Sequence, residues 1–267
     1  MPAERMLSGK HAVVFGAGGA IGSAVAREFA AQGAELFVSG RGPNGAEHTA
    51  GLIKSDGGTV HAAVVDALDE AAVDAYLDAV AERAGSIDVL FNAMGPRAIE
   101  YANGTRATEL PLEQFMLPLK TMAQSQFITA RAAARHMTRQ QSGVILILSA
   151  NPARGAPGAT AVGAAFGAME SLLRCLAAEL GPAGVRVTGI RSGGLIETRT
   201  IQQTLEHVAK ATGAPLDQVR ANFGQRALLK PPATLLEMAR IAAFLASDGA
   251  RPLTGAIVNT SGGALLD

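Results

Sequence analysis

His11-Ala12-Val13-Val14-Phe15, running into Gly16-Ala17-Gly18-Gly19-Ala20-Ile21-Gly22, is the stretch on which the fold turns. The first five residues form a short apolar run with strand character, and 20–32 has helical character. Of the seven residues 16–22, which join the two, four are glycine. A tight turn with positive φ would explain one or two glycines, not four. A glycine-rich turn between a strand and a helix lets the backbone approach a pyrophosphate, whose charge the helix N-terminus favours. Gly16, Gly18, Gly19, Ala20, Ile21 and Gly22 are therefore candidate cofactor-binding residues.

Outward from this turn, short apolar runs alternate with longer helical ones. Strands are expected at 11–15, 35–39, 59–65, 87–91, 144–149, 185–190 and 256–259. Helices are expected at 20–32, 44–56, 69–84, 112–140, 160–180 and 234–247. Asp69 with Glu70 reads as a helix start, and Gly33 and Gly181 as stops. Such alternation implies an α/β fold, a single parallel sheet covered on both faces by helices. No break in composition divides 1–267, so one domain is expected. The least patterned stretch, 193–233, reads either as a mobile cover over a site or as a helical excursion.

The second expected strand ends in Val38-Ser39-Gly40-Arg41. An acidic side chain at this point holds a ribose 2′-hydroxyl, whereas a nearby arginine accommodates a 2′-phosphate. Gly40 has no carboxylate and Arg41 carries a guanidinium, which favours NADP(H) over NAD(H).

Bulk properties narrow the function classes. The 267 residues carry 23 basic and 23 acidic side chains, a balance that gives no field for nucleic acid or an anionic membrane. One cysteine, Cys175, cannot form an intramolecular disulfide, which suits the cytoplasm. Its apolar surroundings in sequence read as core. The start, MPAERMLSGK, lacks an apolar signal-peptide region, and the longest aliphatic run, 144–148, is too short to span a bilayer. His11, His48, His61 and His207 form no ligand spacing with the cysteine or one another, so no metal is expected.

Further motifs fall in order along the chain. Asp66 and Ala67 follow the third strand, and Asn92-Ala93-Met94-Gly95 follows the fourth. Glu179-Leu180 leads through Arg186-Val187 to Ser192-Gly193 and Thr198. Phe244 to Asp248, Leu253-Thr254-Gly255 and Gly262-Gly263 close the series. Together with 15–22, these resemble the short-chain dehydrogenase/reductase family along nearly the whole chain. The resemblance implies a Rossmann-type doubly wound sheet, a nicotinamide dinucleotide cofactor and a small-molecule substrate. It also implies a homodimer or homotetramer formed through helix 160–180. That helix is apolar nearly all round, with Val162, Ala165, Phe166, Met169, Leu172, Leu173 and Leu176. The resemblance places Gly193, Thr198, Asp66, Ala67, Asn92, Ala93, Met94 and Gly95 at the cofactor. The chain departs from the family pattern in having Ala20 for the middle glycine and Ala93 for the second asparagine.

Alignment on Ala177-Ala178-Glu179-Leu180 puts the family's serine on Ser149, the candidate catalytic residue. The family's tyrosine falls on Val162, its lysine on Phe166, and its helix asparagine near Met122. Only Tyr76 and Tyr101 occur in the whole chain, and neither occupies the tyrosine position. Val and Phe have no labile proton, so the ordinary route for protonating an alkoxide is missing. Arg97, Tyr101, Asn151, Arg154, Val162 and Phe166 are expected to line the substrate pocket, with Lys120 and Arg191 as further polar candidates. Three functions stay open: an atypical NADP(H)-dependent oxidoreductase, a non-redox enzyme or binding protein using the same pocket, and a silent subunit that stabilises a partner.

Overall fold

The computed structural model describes residues 5–266. Residues 1–4 and 267, the ends of the 1–267 single-domain reading and the first part of its polar start, lie outside them. The strands are β1 (His11–Phe15), β2 (Glu35–Gly40), β3 (Val60–Val64), β4 (Val89–Asn92), β5 (Gly143–Ala150), β6 (Val185–Ser192) and β7 (Ile257–Thr260). They form one seven-stranded sheet in the order β3-β2-β1-β4-β5-β6-β7, with every pairing parallel. Successive strands run outward from β1 to β3, then restart on the other side of β1 at β4. The reversal opens a crevice between β1 and β4 at the carboxyl edge, where ligands of open α/β sheets bind.

Helices cover both faces, because an all-parallel sheet has to bury both. They are α1 (Ala20–Ala31), α2 (Pro43–Ser55), α3 (Glu70–Ala84), α4 (Leu112–Pro118), α5 (Gln124–Gln140), α6 (Thr160–Leu180), α7 (Arg199–Thr212), α8 (Leu216–Gly224) and α9 (Leu235–Ala246). One apolar core gathers Val25, Phe29, Leu36, Phe91 and Leu245 on the α1, α2 and α9 face. The other gathers Val73, Leu77, Met137, Ile145, Met169 and Leu173 on the α3, α5 and α6 face. Asp69 caps α3, accepting a hydrogen bond from Ala72 N at 3.0 Å.

The expected helix 112–140 is interrupted. A π turn at Leu119–Ala123 separates α4 from α5. Pro118, which has no N–H to donate and a ring that crowds the preceding turn, stands immediately before it. The stretch 193–233 holds α7 and α8. Thr198 caps α7, accepting from Ile201 N at 3.4 Å and donating to Leu195 O at 2.8 Å.

Cys175 is exposed on α6, which corrects its expected place in the core. Met169, Leu173, Leu176 and Ala177 face the sheet, so the helical period turns position 175 outward. Thr160–Ala183 is long and apolar enough to cross a membrane by length and composition alone, but half of its most apolar part is buried inside the fold. It is the core helix beside β5 and β6.

Candidate functional site

Over the carboxyl ends of β1, β2, β3 and β4 lies a cleft of about 290 Å³. It is lined by Gly16, Gly18 and Gly19 of the first turn, by Gly40, Arg41, Gly42, Gly45 and Ala46, and by Ala67, Ala93, Met94 and Gly95. Two glycines are required by close approach. A Cβ on Gly16, whose φ is +73°, would lie 2.9 Å from Met94 N, and one on Gly18 would lie 2.8 Å from Gly45 Cα. Side chains there would fill the cradle or push its walls apart. No side chain caps α1, so its first N–H groups remain available to an anion.

Neighbouring elements hold the turn in shape. Thr49 of α2 is buried and donates its hydroxyl to Ala17 O at 2.8 Å. Ala17 N in turn donates to Ser39 O at 3.0 Å. Asn92 at the end of β4 donates Nδ2 to Ser125 at 3.3 Å and Thr129 at 3.1 Å, and its Oδ1 accepts from Met94 N at 2.8 Å. It therefore shapes the wall formed by residues 93–95 from below. Arg41 stands exposed on the rim, beside Gly40, around which there is open space.

Most cofactor residues expected from the sequence thus meet in one place. Ala20, Ile21 and Gly22 sit one step back at the start of α1, and Gly22 lets that helix pack on the turn: a Cβ there would be 2.3 Å from Gly16 O. Asp66 is exposed next to the cleft and accepts from Leu68 N at 3.0 Å. Gly193 and Thr198 follow β6, further along the carboxyl edge. The sequence reading missed Gly42, Gly45 and Ala46, the contribution of α2. Gly45 was readable only as a helix residue, because its partner Gly18 is distant in sequence.

A second group of polar atoms lies under the carboxyl ends of β5 and β6. Ser149 donates its hydroxyl to Glu170 Oε1 at 2.7 Å. Arg191 grips the same carboxylate with Nε on Oε1 at 2.8 Å and with a second guanidinium nitrogen on Oε2 at 2.9 Å. All three are buried: Ser149 is 1% exposed, Arg191 4% and Glu170 5%. Burial alone would raise the Glu170 carboxyl, but the hydrogen bonds from Arg191 and Ser149 outweigh it and hold the carboxyl below its ordinary range. Ser149 is therefore a donor already engaged. Glu170 escaped the sequence reading, although a lone carboxylate on the core face of an apolar helix was a visible signal.

The expected pocket residues separate into two sets. Tyr101 and Val162 are buried in one apolar cluster, and Met94 and Phe166 pack against it. Burial pushes the Tyr101 phenol up to about 12, so it keeps its proton. Asn151 opens a 3-10 turn, Asn151–Arg154, directly after β5. Arg97, by contrast, turns to Glu100 at 3.0 Å with its side chain largely in solvent. Arg154 and Lys120 are also exposed.

A family model described as enoyl-(acyl carrier protein) reductase matches residues 16–264. The short-chain reductase protein NovJ of Streptomyces niveus is 32% identical over 254 residues, covering 94% of this chain and 92% of that protein. The 7alpha-hydroxysteroid dehydrogenase of Escherichia coli K12 is 27% identical over 266 residues, covering 98% and 96%. Among solved structures, NAD+-bound xylitol dehydrogenase superposes with a TM-score of 0.90 at 25% identity, covering 96% of this chain and 99% of that one.

Proposed function

This chain belongs to the short-chain dehydrogenase/reductase family, and from that premise we propose an oxidoreductase that prefers NADP(H) and has an atypical active site. The observation that carries the reading is the glycine cradle over the carboxyl ends of β1 to β4 with Arg41 on its rim. Gly16, Gly18 and Gly19 would take the pyrophosphate, Asp66 and Ala67 the adenine end, and Gly193 and Thr198 the nicotinamide end. The bound nicotinamide would supply or accept the hydride. Arg41 would pair the 2′-phosphate, and no carboxylate at position 40 opposes it. At the family's tyrosine and lysine positions stand Val162 and Phe166, both in or against the apolar core. A cytoplasmic setting fits the single thiol.

The test is a calorimetric titration with both nucleotides. NADP+ is expected to bind more tightly than NAD+, and Arg41→Ala to narrow the difference by roughly tenfold. Gly40→Asp, entering open space, is expected to favour NAD+. Equal curves for both nucleotides in the parent would sink the preference.

A second reading is favoured by one observation, the engagement of the Ser149 hydroxyl by Glu170. In that reading the chain binds the nucleotide as a fixed element and does no redox chemistry. The two readings part on whether NADPH absorbance changes during turnover.

We also expect a homodimer or homotetramer. The outer side of α6 leaves Leu172 half-buried and Cys175 exposed, and Phe127 on α5 is 43% exposed. Apolar surface of that kind favours burial against another copy. A monomer mass by light scattering at micromolar concentration would contradict this.

A further inference from the structure

Gly194, the second residue after β6, serves as a seat for a side chain from α8. A Cβ on Gly194 would lie 2.0 Å from Phe223 Cζ, so the tip of the ring stands where a side chain would begin. Gly194 is not among the glycines with positive φ. Its φ lies outside the left-handed region, and the close approach of the ring is what excludes a side chain there. Phe223 is half-buried on this seat, and the Arg226 guanidinium carbon lies 5.8 Å from its ring centroid.

The contact closes the neck of a long excursion. From Gly194 the chain runs out through α7 and α8 and returns to its point of departure at Phe223. It is anchored beside both residues. Leu195 is 3% exposed and Ala227 6%, and Leu228 N and Leu229 N donate to Gly262 O at 2.8 and 3.0 Å. What lies between is lightly held. Leu205 is the one buried residue of α7, and α8 buries none. Asn103 Nδ2 ties α7 to the loop after β4 by donating to Thr204 Oγ1 at 3.0 Å, and the His207 ring lies over Gly104 in the same loop. For α8 the ties are Phe223 on Gly194 and Lys230 Nζ, which donates to Gly224 O at 2.7 Å. A segment with so few buried apolar contacts opens while the sheet stays folded.

Resting on the reading that puts Gly193 and Thr198 at the nicotinamide end of the cofactor, we propose that Phe223 is a latch. Seated on Gly194, it holds α7 and α8 closed over that end, and nucleotide passes only when the ring leaves its seat. The seat is made by the chain's own backbone and not by the nucleotide. Unlatching therefore speeds entry and exit alike and leaves the affinity where it was.

Stopped-flow fluorescence with NADPH reads both rates without turnover. Phe223→Ala removes the ring, and Gly194→Ala fills its seat. Each is expected to raise the association and dissociation rates together by roughly tenfold, with Kd changed by less than about twofold. The two changes undo one contact from opposite sides, so they should not add. With Phe223→Ala in place, Gly194→Ala is expected to change neither rate further. Trypsin is expected to cut each single variant at Arg199, Lys210 or Arg220 several times faster than the parent, with the melting midpoint unmoved, because the opening is local. If one variant misfolds, the other carries the rate test. Additive effects, unchanged rates, or a changed Kd with unchanged rates overturns the proposal. So does faster cutting without faster exchange, because the cover would then open without gating anything. A parent that binds neither NADPH nor NADH removes the cofactor reading and the gate with it, whereas NADPH binding with rates untouched in both variants removes the gate alone.

Discussion

Arg191→Met is expected to destabilise the protein by about 3–5 kcal/mol, read as a lower urea midpoint with an unchanged slope. The change removes both guanidinium contacts to Glu170 and leaves a carboxylate, 5% exposed, without its forked counter-ion. Replacing both partners should cost much less, because an apolar pair needs no desolvation. Arg191→Met with Glu170→Leu is therefore expected to recover most of the loss, and the double-mutant cycle isolates the coupling. The pair also predicts an acid response. Burial raises the Glu170 carboxyl, but hydrogen bonds from Arg191 and Ser149, with the charge of Arg174 on the same helix, leave it below its ordinary value. A group with a depressed folded pKa stabilises above its unfolded value, about 4.3 for Glu, and loses that contribution as pH falls through the folded value. The parent should thus lose stability below about pH 4.3 more steeply than Glu170→Gln does. A single Arg191 variant as stable as the parent would show that the grip contributes nothing.

The sheet was legible because each strand is a short apolar run ending in Gly, Asp, Asn or Ser, and the structure moves its ends by only a residue or two. The glycine turn was legible for a similar reason: strand, turn and helix are contiguous, so local chemistry names the cradle's floor. Its far wall was not. Gly45 matters only because α2 brings it against Gly18, and no local pattern reports that approach. The π turn was hidden because Pro118 sits within a stretch whose apolar spacing is otherwise helical. The buried triad was half visible. Ser149 stood out through the family resemblance and Arg191 through its charge, but their meeting point, Glu170, lies 21 residues from each. Cys175 misled because composition around it says apolar, while orientation on the helix decides exposure.

The chemistry at α6 gives the other large expected effect. The parent protein is expected to reduce simple ketones negligibly with NADPH, since Val162 offers no proton to a developing alkoxide. Val162→Tyr with Phe166→Lys should raise that rate by roughly 10²–10⁴-fold, the ordinary contribution of a general acid. The gain should exceed the product of the single changes, because the ammonium tunes the phenol and the two act as a unit. The structure adds two conditions. Val162 is 6% exposed, so a tyrosine there overfills its slot at a cost of about 1–3 kcal/mol, and folding of the double variant has to be verified by its melting curve. A lysine at 166 also stands one helical turn before Glu170, a spacing that pairs opposite charges. That carboxylate would draw the new ammonium away from the phenol and keep the Ser149 hydroxyl engaged. Adding Glu170→Gln to the double variant should therefore increase the rate further by freeing the ammonium, provided the melting curve shows that the fold tolerates losing the carboxylate that Arg191 grips. If the parent already reduces simple ketones briskly, an acid elsewhere is at work, and Val162 does not mark a lost proton donor.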